Sequence, residues 1–269
     1  MHRLITIVIL AAVLVPAAAP PAPAAADHVS WWRPTLAMSW QIQLSGEIDT
    51  SYDVDIYDID LFDTPRATID DLHARGVAVV CYFSAGSWEE WREDAGAFST
   101  TVIGDPLDGW PGESWLDVRR LSVRGVMAAR LDLAAAKGCD AVDPDNVDGY
   151  QNDTGFPITD AHQLRYNRWL ADQAHVRGMG VGLKNDLGQV PDLVGTFDFQ
   201  INEECFDYDE CDALAPFVAR RKPVLQLTYG DPDDLAATIC SAGADLGFNV
   251  LIKDLDLGPR RFSCREDAG

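Results

Sequence analysis

The sequence has few positive charges. Lys and Arg number 21 in 269 residues, against 43 Asp and Glu, and the formal net charge is −22. No segment carries a Lys/Arg cluster that could neutralise a row of phosphates, so we expect no nucleic-acid partner. Hydrophobic residues make up 47% of the chain, which is enough for a sizeable core and excludes a disordered protein.

Long hydrophobic runs are also scarce. The one run that could enter a bilayer is Leu4–Val15, and at about 12 residues it is too short to span the hydrocarbon core. It precedes a Pro/Ala-rich stretch that a signal peptidase would cut near Ala24 or Ala26. We therefore predict a signal peptide over residues 1–26 and a folded domain over residues 27–269, secreted and without membrane association after cleavage.

Several catalytic and metal-binding motifs are missing. The chain contains no CxxC or HxxxH pair, no GxSxG elbow, no HExxH helix and no P-loop. A calcium loop is excluded in Asp143–Gly149, because Val147 stands at the third ligand position and the glycine comes one place late. We expect no metal and no cofactor, which leaves the carboxylates as the reactive groups.

The six cysteines are interpreted through the predicted export. Disulfides are the default in an oxidising compartment, and six cysteines allow 15 connectivities. The short spacing favours Cys205 with Cys211, and Cys240 with Cys264 would tie a late helix to the C-terminal tail. Elimination leaves Cys81 with Cys139. This pairing is a hypothesis about three intramolecular bonds.

Short apolar, β-branched runs alternate with helical stretches along the chain. Such runs are typical of parallel strands covered on both faces. We predict eight strands, over Leu36–Ile42, Val54–Asp60, Val77–Phe83, Asp140–Asp143, Met179–Leu183, Phe197–Asn202, Val224–Thr228 and Phe248–Ile252.

The helices between these strands have clear start and stop signals. Thr159–Arg177 is the longest, and another begins at Asp231 and is expected to stop at Gly243. Eight strands that alternate with helices to the chain end, in roughly 240 residues, match the size of a single α/β domain of the (β/α)8, TIM-type barrel class. A doubly wound sheet is the alternative, but Gly178–Gly182 lacks the glycine spacing of its nucleotide-binding turn.

Two connections are irregular. Gln43–Asp53 is short for a helical crossover, and Ser84–Leu121 after the third strand is far longer than an ordinary loop. The long segment holds four of the eight tryptophans. We predict that it lines a binding cleft, and the alternative is that it packs its indoles inward as a satellite core. The cleft residues that we predict from it are Trp88, Trp110 and Trp115.

Polar residues follow the predicted strands at their carboxyl ends, where barrels build their sites. At any single position this can equally reflect loop composition. As a set, they predict a carboxylate-rich binding site with contributions from Gln41, Asp58, Asp60, Tyr82, Ser84, Asp143, Asn146, Lys184, Asn185 and Tyr229.

Carboxylates dominate two of these strand ends. Strand alternation puts Asp143 and Asp145 on one face, and Glu203 follows another strand. Gly182 shares a face with Lys184, and we expect it to leave room for the lysine side chain. Exported carboxylate enzymes with tryptophan-rich clefts most often act on glycosidic bonds.

At these residues the sequence resembles the endo-α-1,4-polygalactosaminidase family of glycoside hydrolases, numbered 114. The resemblance runs in order from about Trp32 to Asp254. The matching segments are 40–46 (WQIQLSG), 57–63 (YDIDLFD), 81–89 (CYFSAGSWE), 138–146 (GCDAVDPDN), 182–185 (GLKN) and 202–206 (NEECF).

The resemblance implies a barrel that cuts galactosamine-rich exopolysaccharide, with Asp145 and Glu203 as catalytic carboxylates. A retaining mechanism would make Asp145 the nucleophile and Glu203 the acid/base. Asp143 is the competitor for the nucleophile, and the family more often has Gln where this chain has Glu204. The expected partner is thus a polysaccharide substrate. We expect the protein itself to be a monomer. The alternatives are another polysaccharide specificity, a carbohydrate-binding protein without catalysis and a structural secreted protein.

Overall fold

The computed structural model of the protein describes residues 30–268, so the predicted signal peptide lies outside the described residues. Within this range no helix is long and apolar enough to cross a membrane. The elements, in chain order, are β1 (Trp40–Gln43), β2 (Ile56–Asp60), α1 (Arg66–Ala74), β3 (Ala78–Ser84), β4 (Ser87–Glu89), β5 (Ile103–Pro106), β6 (Glu113–Leu116), α2 (Leu121–Lys137), β7 (Ala141–Asp145), α3 (Asp160–His175), β8 (Gly180–Lys184), α4 (Val190–Leu193), β9 (Phe199–Glu203), α5 (Ala215–Ala219), β10 (Val224–Tyr229), α6 (Pro232–Leu246), β11 (Asn249–Lys253) and β12 (Arg261–Ser263).

Eight parallel strands form one curved sheet in the order β1-β2-β3-β7-β8-β9-β10-β11, and β12 adds an antiparallel edge to β11. Each parallel strand overlaps one of the eight apolar runs of the sequence. The prediction of a single α/β barrel of the (β/α)8 type is confirmed. Since the strands are parallel, their carboxyl ends share one mouth of the barrel.

Two apolar layers hold the barrel together. The interior is filled by side chains that include Trp40, Val80 and Phe199, all fully buried. A second layer packs the outer faces of the strands against the helices. On β7, Ala141 belongs to the interior and Val142 to the outer layer, which is the alternation expected of a strand covered on both faces.

Side chains, rather than a backbone ladder, join β1 to β11. Nζ of Lys253 donates to the carbonyl of Ile42 at 2.7 Å, to that of Gly258 at 2.7 Å and to Oε1 of Gln41 at 3.2 Å. The indole N–H of Trp40 donates to the carbonyl of Asn249 at 3.1 Å. These bonds satisfy edge groups that would otherwise be buried without partners.

The long segment after β3 is an ordered insert and not a simple loop. Its strands form a separate antiparallel sheet in the order β4-β6-β5. The pairing sets Ser87 opposite Trp115 and Glu89 opposite Glu113. The insert therefore carries its own side chains back toward the end of β3.

Strict alternation of strand and helix fails at both ends of the barrel. No helix links β1 to β2, as the short connection predicted, and the Gln43 amide holds this turn instead. It donates to the carbonyls of Ser45 and Glu47 and accepts from the N–H of Asp49. The expectation of alternation to the chain end is wrong, because β11 is followed by β12.

Two glycines act through packing and not as predicted. The helix α6 continues through Gly243 and ends at Gly247, which has a left-handed φ of 74°. A Cβ on Gly243 would lie 2.5 Å from Val250, so the glycine is needed for close packing. The space over Gly182, which we expected to accommodate Lys184, is filled by Phe199 and Ile201.

All three predicted disulfides are present. Cys81 pairs with Cys139, Cys205 with Cys211 and Cys240 with Cys264. No free cysteine remains in residues 30–268. The first bond joins β3 to Cys139, two residues before β7, the second braces the segment after β9, and the third ties α6 to the tail.

Candidate active site

Three neighbouring strand ends bring two carboxylates and one ammonium group together. Asp145 ends β7, Lys184 ends β8 and Glu203 ends β9. Nζ of Lys184 lies 3.2 Å from Oδ2 of Asp145 and 3.4 Å from Oε2 of Glu203. Placed end to end, these distances put the two carboxylate oxygens at most about 6.6 Å apart.

Hydrogen-bond donors reach both oxygens of Asp145. The hydroxyl of Tyr82 donates to Oδ2 at 3.1 Å, and the backbone N–H of Asn146 donates to Oδ1 at 2.7 Å. Burial raises the pKa of Tyr82 well above its usual value, and the charge of Asp145 raises it further. The phenol therefore stays protonated and serves as a donor.

Glu203 is held by Tyr229 and Asn185. The hydroxyl of Tyr229 donates to Oε1, and the side-chain amide of Asn185 donates to Oε2 at 3.3 Å. Oδ1 of Asn185 in turn accepts from the backbone N–H of Glu203 at 2.9 Å. Asn185 adopts a left-handed φ of 47°, a conformation that asparagine tolerates better than most residues. Its amide thus spans the backbone and the side chain of the same glutamate.

Lys184 is the cation at the centre of the site. Its side chain is 2% exposed. Burial by itself lowers the pKa of Lys184, but Asp145, Glu203 and Asp143 together raise it well above its usual value. The ammonium group consequently remains charged at neutral pH and balances part of the surrounding negative charge.

Two further aspartates lie behind the pair. Alternation places Asp58 on the inner face with Ile56, and Asp143 on the inner face with Ala141. Both carboxyl groups are fully buried and have no hydrogen-bond donor among the described residues. Burial raises the pKa of Asp143 to about 7, and burial with the nearby Asp143 raises that of Asp58. A protonated carboxyl at this depth avoids part of the cost of a buried charge.

The first residues of the insert, Ala85 and Gly86, which we call the insert root, form hydrogen bonds with the end of β7. The backbone N–H groups of Ala85 and Gly86 donate to the carbonyl of Asp145 at 2.8 and 3.1 Å. A Cβ on Gly86 would stand 1.6 Å from the carbonyl oxygen of Asn146, so only glycine permits this approach. The side-chain amide of Asn146 donates to Oγ of Ser84 at 2.9 Å.

The structure brings most of the predicted site residues to one mouth of the barrel. Those in contact with the carboxylate pair, or directly behind it, are Asp58, Tyr82, Ser84, Asp143, Asn146, Lys184, Asn185 and Tyr229. Glu204 lies beyond the end of β9, and within the described chain Lys184 pairs with Glu203 and not with Glu204.

Gln41 and Asp60 are not part of this cluster, which corrects the sequence-based expectation. The Gln41 amide donates to the carbonyl of Pro259 at 2.8 Å and accepts from Lys253, so it closes the barrel seam. Asp60 is 4% exposed and pairs with Arg92 of the insert at 2.6 Å. Both side chains have their polar groups engaged in structural contacts.

The tryptophans of the insert divide into two groups. The indole N–H of Trp88 donates to the carbonyl of Ala95, and its ring packs against the outer core. Trp115 is 6% exposed, whereas Trp91 and Trp110 are 54% and 52% exposed. The inward packing of Trp88 and Trp115 fits the satellite-core alternative, and Trp110 remains available to a ligand.

Sequence reasoning missed Ser87, Glu113 and Asp148 at this mouth. Burial and the charge of Asp145 raise the pKa of Asp148 to about 6. Ser87 and Asp148 lie in or next to the segments that carry the family resemblance, which was the available signal. Glu113 follows no predicted strand, so nothing in the sequence pointed to it.

A separate cavity of about 610 Å³ lies at the other end of the barrel. Its walls include Trp31, Arg33 and His175, with Asp198 beside the start of β9. It shares no residue with the carboxylate cluster. Barrel enzymes place their chemistry at the carboxyl ends of the strands, so the carboxylate cluster, and not this cavity, is the candidate active site.

In the part of the chain that the structure describes, no three or more His, Cys, Asp or Glu side chains are grouped so that they could hold a metal ion. The acidic groups of the mouth are instead compensated by Lys184 and by neutral donors.

A barrel with two carboxylates close together at the carboxyl ends of its strands is an architecture of glycoside hydrolases. The profile of glycoside-hydrolase family GH114 matches residues 20–269. The chain belongs to this family, and it is a glycoside hydrolase.

Two solved structures illustrate the similarity. Ega3 of Aspergillus fumigatus, crystallised in complex with galactosamine, is 41% identical with a TM-score of 0.81, and the match covers 89% of this chain and 100% of that one. The glycoside hydrolase domain of PelA from Pseudomonas aeruginosa is 15% identical with a TM-score of 0.69, over 84% of this chain and 98% of that one, and shares the fold. Among curated proteins, no sequence matches.

Proposed function

We propose that this protein is a secreted, endo-acting hydrolase of α-1,4-linked galactosamine or N-acetylgalactosamine polymers, with Asp145 and Glu203 as its catalytic carboxylates. The observation that carries the proposal is the placement of these two groups on either side of Lys184, with Oδ2 of Asp145 and Oε2 of Glu203 at most about 6.6 Å apart. Glycoside cleavage needs two carboxyl groups that flank the scissile bond.

The distance favours retention of the anomeric configuration. Retaining enzymes hold their carboxyl groups about 5–5.5 Å apart, whereas inverting enzymes need about 6.5–9.5 Å for an intervening water. The upper limit of about 6.6 Å between the two oxygens overlaps only the lower edge of the inverting range.

In the first step, the carboxylate of Asp145 attacks the anomeric carbon while the glycosidic C–O bond breaks. Glu203 gives its proton to the departing oxygen, and a glycosyl–enzyme ester remains on Asp145. Glu203, now a carboxylate, then takes a proton from water, whose oxygen attacks the anomeric carbon and releases Asp145. Lys184 and Tyr82 compensate negative charge on Asp145 when the ester breaks.

Exposure favours Asp145 over Asp143 as the nucleophile. The Asp145 side chain is 18% exposed, whereas Asp143 is fully buried. A nucleophile has to reach the anomeric carbon of a polymer that binds at the mouth. Asp143 instead lies behind the pair, where burial raises its pKa to about 7.

The acidic mouth supports a cationic, amino-sugar substrate. Asp145, Asp148 and Glu203 surround the opening, and Lys184 is buried below them. Negative potential in a cleft attracts a cationic polymer such as deacetylated polygalactosamine. The family resemblance and the galactosamine in Ega3 point to the same sugar.

The proposal of secretion combines the predicted signal peptide with three disulfides. The three bonds pair all six cysteines, a use of cysteine that is typical of oxidising compartments. Expression of residues 1–269 with detection of the mature N-terminus tests this part. We expect a start at Asp27 or within a few residues of it.

Product analysis tests the proposed activity. Purified residues 27–269 are incubated with an α-1,4-linked N-acetylgalactosamine polymer before and after deacetylation, and with β-linked chitosan as the control. We expect a ladder of galactosamine oligomers by mass spectrometry and an α-configured first product by NMR. Cleavage of another polysaccharide alone would change the substrate class, and binding without cleavage would select the non-catalytic alternative.

A further inference from the structure

A chain of buried hydrogen bonds runs from the insert to the end of β7. Oγ of Ser87 donates to Oε2 of Glu113 at 2.6 Å, and the hydroxyls of Ser84 and Ser87 are 2.6 Å apart. The side-chain amide of Asn146 lies 2.9 Å from Oγ of Ser84 and 3.3 Å from Oγ of Ser87. Both serines are fully buried, and Glu113 is 8% exposed.

The acceptor at Glu113 fixes the direction of every bond in this chain. Because the proton of Ser87 is committed to Glu113, the bond between the serines has to be donated by Ser84. Both hydroxyl oxygens then offer only lone pairs toward the third residue. Asn146 must therefore present its N–H2 group to them, and not its carbonyl oxygen.

The backbone of Asn146 connects this hydrogen-bond chain to Asp145. Asn146 has a left-handed φ of 59°, which is uncommon for a residue other than glycine. In this conformation its backbone N–H donates to Oδ1 of Asp145 at 2.7 Å. A side chain anchored at the two serines holds a backbone conformation that is otherwise weakly favoured.

We propose that Glu113 is a positioning residue for Asp145, which acts through Ser87, Ser84 and Asn146 and does not touch the substrate. The inference rests on the proposed catalytic role of Asp145. It also assigns a role to the insert, because β6 places the carboxyl group of Glu113 next to Ser87, just after the end of β3.

Ser87 can donate to Glu113 whether this carboxyl group is ionised or protonated. Burial raises its pKa to about 7; the neighbouring charges of Glu89 and Asp145 raise it, and Ser87 and Arg92 lower it. Either form of the carboxyl group keeps an oxygen that accepts from Ser87. A glutamine at this position does the same, so Glu113→Gln should preserve the chain and Glu113→Leu should break it.

The experiment compares Glu113→Gln, Glu113→Leu and Ser87→Ala with Glu90→Leu, a control at an exposed glutamate of the same insert. We expect Glu113→Leu and Ser87→Ala to lower kcat on the galactosamine polymer by about 10- to 100-fold, with KM within about twofold, as misplacement of a reacting group does. Glu113→Gln and the control should stay within about threefold, with the pH–rate profile of Glu113→Gln unchanged.

A second readout needs no substrate and separates this inference from the proposed function. In 15N-labelled protein, the side-chain amide of Asn146, identified by its loss in Asn146→Asp, should exchange slowly with solvent. Exchange should become at least about tenfold faster in Glu113→Leu and stay slow in Glu113→Gln. This result would hold even if the wild type proved inactive on the polymer, which would overturn the proposed function alone.

Two outcomes would overturn the positioning role. The first is an unchanged kcat and unchanged amide exchange in folded Glu113→Leu and Ser87→Ala. The second is a Glu113→Gln variant as impaired as Glu113→Leu with a shifted pH–rate profile, because Glu113 would then act through its charge or its proton.

Discussion

Asp145 and Glu203 share one buried cation, because an oxygen of each lies within 3.4 Å of Nζ of Lys184. This relationship follows from strand order, since β8 lies between β7 and β9 in the sheet. The lysine prevents two neighbouring carboxylates from repelling each other without compensation.

The buried Asp143 should make stability depend on pH. Its pKa is raised to about 7, whereas an unfolded aspartate titrates near about 4. The folded protein binds this proton more tightly, so the stabilisation is complete below about pH 4 and is lost as the pH rises through about 7.

We predict that Asp143→Asn removes this loss. The difference in melting temperature, variant minus wild type, should increase by about 2–4 °C or more between pH 5 and pH 8. A change of this size corresponds to about 1 kcal/mol in a domain of this size. Asp71→Asn, at an exposed position of α1, is the control for calorimetry. A relative melting temperature that stays constant or falls would contradict the prediction.

The disulfide between Cys205 and Cys211 should matter for activity as well as for stability. Cys205 follows Glu203 by two residues, and the bond braces the segment that leaves β9. We predict that replacing both cysteines with serine lowers kcat by on the order of 10-fold. The matched control replaces Cys240 and Cys264, far along the chain from the carboxylates.

Both serine pairs should melt at lower temperature, because each loses a crosslink of the unfolded state. Only the first should lose turnover when rates are normalised to folded protein. Equal effects on kcat would remove the link between this crosslink and the position of Glu203.

Gly86 should not tolerate a side chain. A Cβ there would stand 1.6 Å from the carbonyl oxygen of Asn146, so Gly86→Ala must displace the backbone next to Asp145. We predict a loss of turnover of about 10²-fold and a lower melting temperature. Gly96→Ala is the control, since nothing lies within 4 Å of its added Cβ. Wild-type activity in Gly86→Ala would show that the insert root does not hold Asp145.

The insert tryptophans should separate binding from stability. We predict that Trp110→Ala, at a half-exposed indole, weakens polymer binding by about 2- to 10-fold without a change in melting temperature. Trp88→Ala should lower the free energy of unfolding by about 3 kcal/mol, because the indole packs against the core. Isothermal titration with a deacetylated polymer and calorimetry check the two effects, and the reverse result would contradict the assignment.

The barrel and the centre of its site could be predicted because both follow from local patterns. Apolar β-branched runs such as 77–83 predict parallel strands that are covered on both faces. In a barrel, the carboxyl ends of such strands meet at one mouth. Asp145, Lys184 and Glu203 end adjacent strands, so their meeting required only the topology. The disulfide pairing followed from the predicted export, from the short spacing of Cys205 and Cys211, from the placement of Cys240 and Cys264 on a late helix and the tail, and from elimination for the last pair.

The insert could not be predicted in the same way. Its strands are three or four residues long and lack an apolar run, so the pairing that carries Glu113 back to Ser87 leaves no periodic signal. The strand-end rule also cannot tell which partner takes a polar side chain. Asp60 forms an ion pair with Arg92, and Gln41 donates to the carbonyl of Pro259 at the barrel seam. Both contacts join segments that are far apart in sequence.

The most direct test of the account is the initial rate of reducing-end release from a deacetylated α-1,4-galactosamine polymer, measured for wild type, Asp145→Asn, Glu203→Gln and Glu204→Gln with the folded fraction of each determined. We predict release by wild type, a loss of at least about 10²-fold in the first two variants, and a mild effect of Glu204→Gln. Unchanged rates in folded Asp145→Asn or Glu203→Gln, or no release by wild type, would contradict it.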